Sequence, residues 1–445
     1  MRSRDRAGAV PPGRTDDPSA LAAGPMTPPP APRDLVRVFG RIGLLSFGGP
    51  AAQIALMHRE LVDRRPWLTE RQFLNALSFC MLLPGPEAMQ LATYAGWRLR
   101  GVPGGLIAGG LFVLPGAAVI LALACAYAVW GDLPLAQALF LGVQAAVVVI
   151  VIEALVKVAR RALTSRDAWV IAALSFLAIF VLSAPFPAIV LAAGIWGAIR
   201  GLGAADAPEA PRPGGSVAAT LRTVALWSAI WLSPLALLWA AGARTLTEIG
   251  VFFSTLAVVT FGGAYAVLAW MADVAVTDRG WLTAPQMMDA LGLAETTPGP
   301  LILVTEFVGF LAGWGAGGPA LAFAAAAVTL WMTFAPCFLW IFAGAPWIET
   351  IAARPRLRGA LAGITAAVVG VILNLSLWFA AHVFFGEVGR WTAGPVDMVR
   401  PDPASLDPRA AALAGVAALL LFGARWSLPA VLAVAAILGA ALSLV

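Results

Sequence analysis

Two helix-breaking motifs, each present twice, are the residues of this chain best suited to do chemistry. Phe47-Gly48-Gly49-Pro50 and Pro84-Gly85-Pro86 lie in the first half, and Phe261-Gly262-Gly263 and Pro298-Gly299-Pro300 lie in the second. A proline lacks an N–H and rejects the helical turn before it, yet suits the first turn of a new helix. Each Pro-Gly-Pro should therefore end one half-helix and start another, whose first N–H groups are unpaired and sit at the positive end of the helix dipole. Such an end takes an anion without any charged side chain. The paired glycines let backbone approach a ligand closely.

One Pro-Gly-Pro alone is ordinarily a kink or a turn. Here the motifs keep register: Gly262 − Gly48, Trp281 − Trp67 and Gly299 − Gly85 all give an offset of 214. Between the breaks, Trp67-Leu68-Thr69 recurs as Trp281-Leu282-Thr283, with Thr69 and Thr283 as expected N-caps and the tryptophans as interfacial anchors. Further on, Pro115 pairs with Pro336, and Gly142–Val148 with Gly363–Val369, at an offset of 221. The second half should carry a short insertion near Gly313–Gly318, and the two prolines should kink their helices. In a transporter, paired Gly/Pro-interrupted segments in matching halves point to the substrate site.

Few side chains compete with these breaks. Arg41 lies in the apolar stretch leading into the first Phe-Gly-Gly, where it either attracts the substrate or snorkels to the interface. Intramembrane acids are functional candidates by default. Glu87 follows Pro86 directly, and reads either as a first-turn acid suited to the dipole or as a proton carrier competing with the anion. Glu306 lies on the equivalent second half-helix, and Glu295 just before Pro298. Glu153 and Lys157 have the spacing of a structural ion pair. Three scattered cysteines and two histidines supply no metal set, no cofactor site and no catalytic triad, which argues against an enzyme.

The elements that position the breaks follow from composition. With 60% hydrophobic and 12% charged residues and a mean hydropathy of +0.86, the chain reads as an all-α polytopic membrane protein whose partner is the lipid bilayer. Its basic balance reports loop topology, not nucleic-acid binding. Arginines in the N-terminal tail, Lys157–Arg166, Arg200–Arg222 and Arg354–Arg358 mark one side, taken as cytoplasmic; the loops around Asp132, Ala184–Pro187 and Gly313–Gly318 hold no Lys or Arg, and Phe385–Asp407 is net acidic. The division expected is a disordered tail over 1–33, a first repeat over 34–201, a linker with one connecting span over 202–243, and a second repeat over 244–445. One odd span between two repeats inverts the second about an axis in the membrane plane. Loop charge favours re-entrant broken segments over crossing ones. Inversion would then gather all four breaks near the bilayer midplane.

The motif set, Ser-Phe-Gly-Gly-Pro, Trp-Leu-Thr and Leu-Pro-Gly-Pro, repeated as Thr-Phe-Gly-Gly, Trp-Leu-Thr and Thr-Pro-Gly-Pro, resembles the chromate transporter family, in its long-chain, two-repeat form. The resemblance covers nearly the whole chain from Asp34 onward. It implies a secondary transporter in the bacterial inner membrane, exporting chromate under the membrane potential or a proton gradient and so conferring chromate resistance, with sulfate as a related oxyanion. It also brings the family motif onto the break residues named above, and a second copy of the chain is a candidate partner. Ala264 departs from the pattern where the first half has Pro50. An anion channel on the same scaffold is the alternative, and a membrane-embedded oxyanion reductase finds no redox or metal set to support it.

Overall fold

The computed structural model describes residues 30–202, 216–261, 264–348, 354–394 and 396–443. The disordered tail and the linker loop expected from the sequence lie almost wholly outside these residues, as do Gly262 and Gly263.

The first repeat opens with α1 (Pro32–Leu45), then α2 (Gly49–His58), which runs into a π turn over Arg59–Asp63. Next, α3 (Glu70–Cys80) starts at a reciprocal cap: Gln72 N–H donates to Thr69 Oγ1 at 3.3 Å, and Thr69 N–H donates to Gln72 Oε1 at 3.1 Å. Then come α4 (Glu87–Trp130), α5 (Pro134–Ala162), α6 (Arg166–Leu182) and α7 (Phe186–Arg200). The connecting span is α8 (Val217–Ala240). The second repeat repeats this order with α9 (Arg244–Val259), α10 (Ala264–Ala272) with its π turn Asp273–Asp278, and α11 (Ala284–Thr296), capped by Thr283 and Gln286 in the same reciprocal way. A 3-10 turn at Leu301–Leu303 leads into α12 (Val304–Gly344), followed by α13 (Pro355–Phe384), α14 (Pro408–Ala418) with a π turn at Leu419–Gly423, and α15 (Leu428–Leu442).

Both α4 and α12 fold back on themselves. Non-helical backbone occurs at Arg100-Gly101 and at Gly317-Gly318, with φ of +63° at Gly101 and +76° at Gly318, values that glycine adopts without a steric penalty. The two arms of each are antiparallel: Gly96 packs on Gly104, and Gly313 on Leu321 and Ala322. The hairpin turns thus lie at glycines and not at Pro115 or Pro336, through which the backbone stays helical. The offset at these turns is 217 (318 − 101), so three of the seven extra residues precede the turn and four follow it (217 − 214; 221 − 217). The insertion is therefore split around the turn at Gly317-Gly318, in the region expected from the sequence.

Contacts sort the ends of these helices onto two faces. Arg100 Nε donates to Pro30 O at 2.6 Å, Phe342 packs on Gly105, Trp347 Nε1 donates to Thr220 Oγ1 at 2.8 Å, and Gly197 packs on Gly359. These place the starts of α1, α8 and α13 and the turn of α4 on the first face. On the second face, Arg279 pairs with Glu248 at 3.2 Å, while Ser183, Asp273 and Arg390 line one pocket. The chain therefore starts α9 on the second face and is back there by the π turn after α10, so this broken segment re-enters. Since α1 starts on the opposite face from α9, the repeats are inverted. The second face also carries what the sequence reading did not foresee, an antiparallel hairpin of β1 (Val388–Ala393) and β2 (Val396–Pro401), with Val388 opposite Pro401.

The repeats exchange their packing partners. In the first repeat, α5 lies against α14 and α15 of the second, and α13 of the second lies against α6 and α7 of the first. The close contacts match: Gly142 meets the Ala435 carbonyl as Gly363 meets that of Ala193 (363 − 142 = 221; 435 − 193 = 242). A Cβ on Gly142 would fall 1.8 Å from the Ala435 oxygen. Small residues allow this approach where hydrophobic burial between helices supplies little drive. The step from 221 to 242 adds 21 residues, the stretch that forms the β-hairpin.

Candidate functional site

Each break bonds to the opposite repeat. Gly85 N–H donates to Thr260 O at 2.8 Å, and Gly299 N–H donates to Ser46 O at 2.9 Å. These two bonds are related by the repeat (260 − 46 = 214; 299 − 85 = 214). The acceptor residues behave alike, since Ser46 Oγ bonds to Ile42 O at 2.6 Å and Thr260 Oγ1 to Leu256 O at 2.5 Å, one turn back. The long arms lock the same exchange. Gly116 of α4 packs on Pro298 O, and Cys337 of α12 packs on Gly85 (337 − 116 = 221). Gly85 and Gly299 have φ of +115° and +92°, which only glycine takes readily.

The junction encloses a cavity of about 20 Å³, room for roughly one water. Its wall includes Pro50, Gln53, Pro86, Glu87 and Thr260. Pro300, Leu301 and Ile302 complete it from the second repeat. The first turns of both half-helices, at Glu87-Ala88 and Leu301-Ile302, therefore face one small space. Their N–H groups have no intrahelical partner. A tetrahedral oxyanion exceeds this volume, so its entry requires the hairpin tips to part.

Of the residues singled out from the sequence, Pro50, Pro86, Pro300 and Glu87 line the cavity. Pro84, Gly85, Pro298 and Gly299 sit behind them in the exchanged bonds. Gly48 and Gly49 form the first break, with φ of +85° and +78°. Phe47 is exposed and Phe261 half-buried, neither on the cavity wall. Arg41 is exposed on α1, away from the cavity. Glu306 is 3% exposed and off the cavity wall, and its Oε2 has no hydrogen-bond partner. Glu153 and Lys157 pair at 2.7 Å.

Sequence reasoning missed several polar side chains. Gln53 Nε2 donates to Gly299 O at 2.7 Å and reaches Ser46 O at 3.3 Å, tying the two breaks together. Gln90 Nε2 donates to Pro84 O at 2.6 Å. Their repeat counterparts are Val267 and Val304 (53 + 214; 90 + 214), so the ties exist on one side only. Asp289, 4% exposed, accepts from Tyr127 Oη at 2.7 Å and Gln144 Nε2 at 2.8 Å. Glu295 was singled out from the sequence, but its partner was not: Tyr265 Oη donates to Glu295 Oε1 at 2.5 Å. The available signal was an uncharged or acidic polar residue inside an apolar run, which reads as functional only once its partner is known. Among the described residues, no group of three or more His, Cys, Asp or Glu could hold a metal.

Comparison with known proteins bears on what this junction carries. The profile of a family described as chromate transporter matches residues 33–198 and 247–440. A chromate transport protein of Pseudomonas aeruginosa is 34% identical over 351 residues, 78% of this chain and 80% of that protein. One of Cupriavidus metallidurans is 32% identical over 362 residues, 80% of this chain and 84% of that protein. A probable chromate transport protein of Synechococcus elongatus is 31% identical over 341 residues, 76% and 82% of the two chains. No solved structure matches.

Proposed function

The chain belongs to the chromate transporter family, and we propose that it exports chromate from the bacterial cytoplasm through the junction of its four breaks. It is a transport protein, not an enzyme. The observation that carries the site is the reciprocal pair of bonds, Gly85 N–H to Thr260 O and Gly299 N–H to Ser46 O. That exchange supports a single anion site made from both repeats, with N–H groups from each half-helix on opposite sides of the anion. Chromate and sulfate are tetrahedral dianions of similar size, so sulfate competes. The small cavity favours a carrier over an open channel, because a junction with room for roughly one water must rearrange to pass an oxyanion.

Two acids serve as candidates for coupling on the half-helices. Glu87 stands on the cavity wall, where its carboxylate competes with the anion for the same N–H groups until a proton neutralises it. Glu306 stands on the matching half-helix with one oxygen unpartnered. The first face, which carries Arg161, Arg200 and Arg354–Arg358, is assigned to the cytoplasm by its charge. A cysteine at Ser405 should then be labelled from outside and one at Thr164 should not.

Uptake of labelled chromate and sulfate into proteoliposomes, with and without an imposed pH gradient, tests the function. Saturable chromate uptake, competed by sulfate and driven by the gradient, is expected. Flux that is unsaturable and indifferent to both gradient and competitor would replace the carrier with a channel.

A further inference from the structure

We propose that Glu295, held by Tyr265, is a further coupling residue: the driving proton binds there and frees the second-face hairpins from one another. The proposal rests on the export reading above. Tyr265 lies at the start of α10, four residues after Phe261, and Glu295 lies at the end of α11, three residues before Pro298. Their bond therefore ties the tips of the two re-entrant elements of the second repeat, immediately beside both breaks. Tyr265 Oη donates to Glu295 Oε1 across 2.5 Å, a direct hydrogen bond with no room for water between. The carboxylate is buried, 7% exposed.

The first repeat has no such tie. The counterparts are Ala51 and Met81 (265 − 214; 295 − 214), which cannot bond, and Met81 is 57% exposed. A purely structural clamp would be wanted at both ends of a two-fold scaffold. A clamp at one end only, made of a carboxyl that can be neutralised, suits a gate on one face.

Proton donors and acceptors flank Glu295 on both sides. Toward the first face, the charges of Glu153 and Lys157 on α5 reach it, and these two pair at 2.7 Å. Toward the second face, Asp289 lies six residues earlier on α11, buried between Tyr127 of α4 and Gln144 of α5. The charge of Asp132, in the α4–α5 loop on that face, reaches Tyr127. The counterpart of Asp289 is Asn75 (289 − 214), so this line of acids also belongs to one repeat. The titratable and charged groups facing Glu295 are thus Tyr265 from α10 and Glu153 and Lys157 from α5.

The cycle follows from these partners. A proton entering from the second face by way of Asp132 and Asp289 neutralises Glu295. A hydrogen bond to an ionised acceptor is about twice as strong as one between neutral groups, so protonation weakens the tie. The tips of α10 and α11 part, the cavity opens to the second face, and the anion leaves. The proton departs toward Glu153 and Lys157, Glu295 is a carboxylate again, and Tyr265 rebinds it. One proton moves inward for each anion moved outward.

Two readouts on Glu295→Gln in proteoliposomes separate this proposal from the reading it rests on. Counterflow exchange of labelled chromate needs the site but no net proton movement; accumulation driven by a pH gradient needs both. Exchange should persist while gradient-driven accumulation falls by about tenfold or more. Accumulation at the wild-type level would overturn the proposal. Tyr265→Phe provides a second variant should Glu295→Gln fail to insert. It leaves the carboxylate without its donor, so the pH profile of gradient-driven accumulation should move to higher pH, and an unmoved profile would overturn the proposal. Absence of counterflow in the wild-type protein would instead overturn the export reading, and this inference with it.

Discussion

At the tips of the first-face hairpins, Phe47 and Met81 are 41% and 57% exposed, and Ala51 and Met81 stand where the second repeat has its tyrosine and its acid. At the equivalent tips on the second face, Glu295 is buried and bonded to Tyr265. The backbones agree to the level of matched caps, π turns, positive-φ glycines and exchanged bonds, while the side chains placed on them differ in kind. Inverted symmetry gives one scaffold two equivalent routes to the cavity. The difference in chemistry is what makes the routes inequivalent, with an acid tie closing one and glutamine ties, Gln53 and Gln90, bracing breaks from the other.

The largest expected effect attacks what the two repeats share. Valine at Gly85 would put a Cβ 2.9 Å from Gln90 Nε2 and 3.0 Å from Cys337 Sγ, at a φ of +115°. Valine at Gly299 would meet Leu303 Cδ1 at 2.9 Å, at +92°. Backbone strain of this kind costs ~1–3 kcal/mol, before the lost access to the ligand is counted. Both variants should insert yet transport chromate about tenfold or more slowly, measured as initial uptake against the amount of inserted protein. Wild-type rates in either would remove the basis for a shared site.

Next comes what the repeats do not share. Gln53→Leu strips Gly299 O of its side-chain donor, while Ser46 O keeps the Gly299 N–H, and a buried polar group left unpaired costs ~1–3 kcal/mol. Thermal unfolding in detergent should shift down clearly, and an unchanged transition would show that the asymmetry has no energetic weight.

How much of this was legible in the sequence depends on whether the signal was local. Breaks were visible because Gly and Pro act on their own backbone, and the N-caps at Thr69 and Thr283 because they act on backbone close by. Inversion followed from counting one odd span, and re-entry from loop charge. The hairpin turns of α4 and α12 were not visible, because Arg100-Gly101 and Gly317-Gly318 sit in runs that read as ordinary loop or helix. Proline drew attention to Pro115 and Pro336 instead, where the fixed φ of proline fits the helix. The tie between Tyr265 and Glu295 spans 30 residues and two elements. Neither residue type nor spacing declares such a partner, and the same holds for Asp289 with Tyr127 and Gln144.

A smaller effect checks that the shared caps are equivalent. Thr69→Ala and Thr283→Ala should each cost ~1 kcal/mol of stability, similar in the two repeats, by unfolding in detergent. A much larger loss in one would mean that its hairpin carries more of the fold.

The smallest effect concerns the base of the first-face hairpin. His58 Nε2 lies 2.6 Å from Glu70 Oε2, and Nδ1 lies 3.4 Å from Asp63 Oδ2; the matching position in the second repeat is Ala272 (58 + 214). The bond to Glu70 raises the His58 pKa above its ordinary value. A raised folded-state value means the tie is fully present below the ordinary histidine pKa and is lost as pH rises through the raised one. Stability should therefore decline slightly on going from mildly acidic to mildly alkaline pH, and His58→Ala should abolish that slope.

The central claim is that one anion is held by the first turns of both half-helices at once. Cryo-electron microscopy of the protein with chromate bound tests it most directly. Density for a tetrahedral anion should appear between the N–H groups at Glu87-Ala88 and those at Leu301-Ile302, with the hairpin tips spread to admit it. Density at only one half-helix, or elsewhere on the protein, would contradict the account.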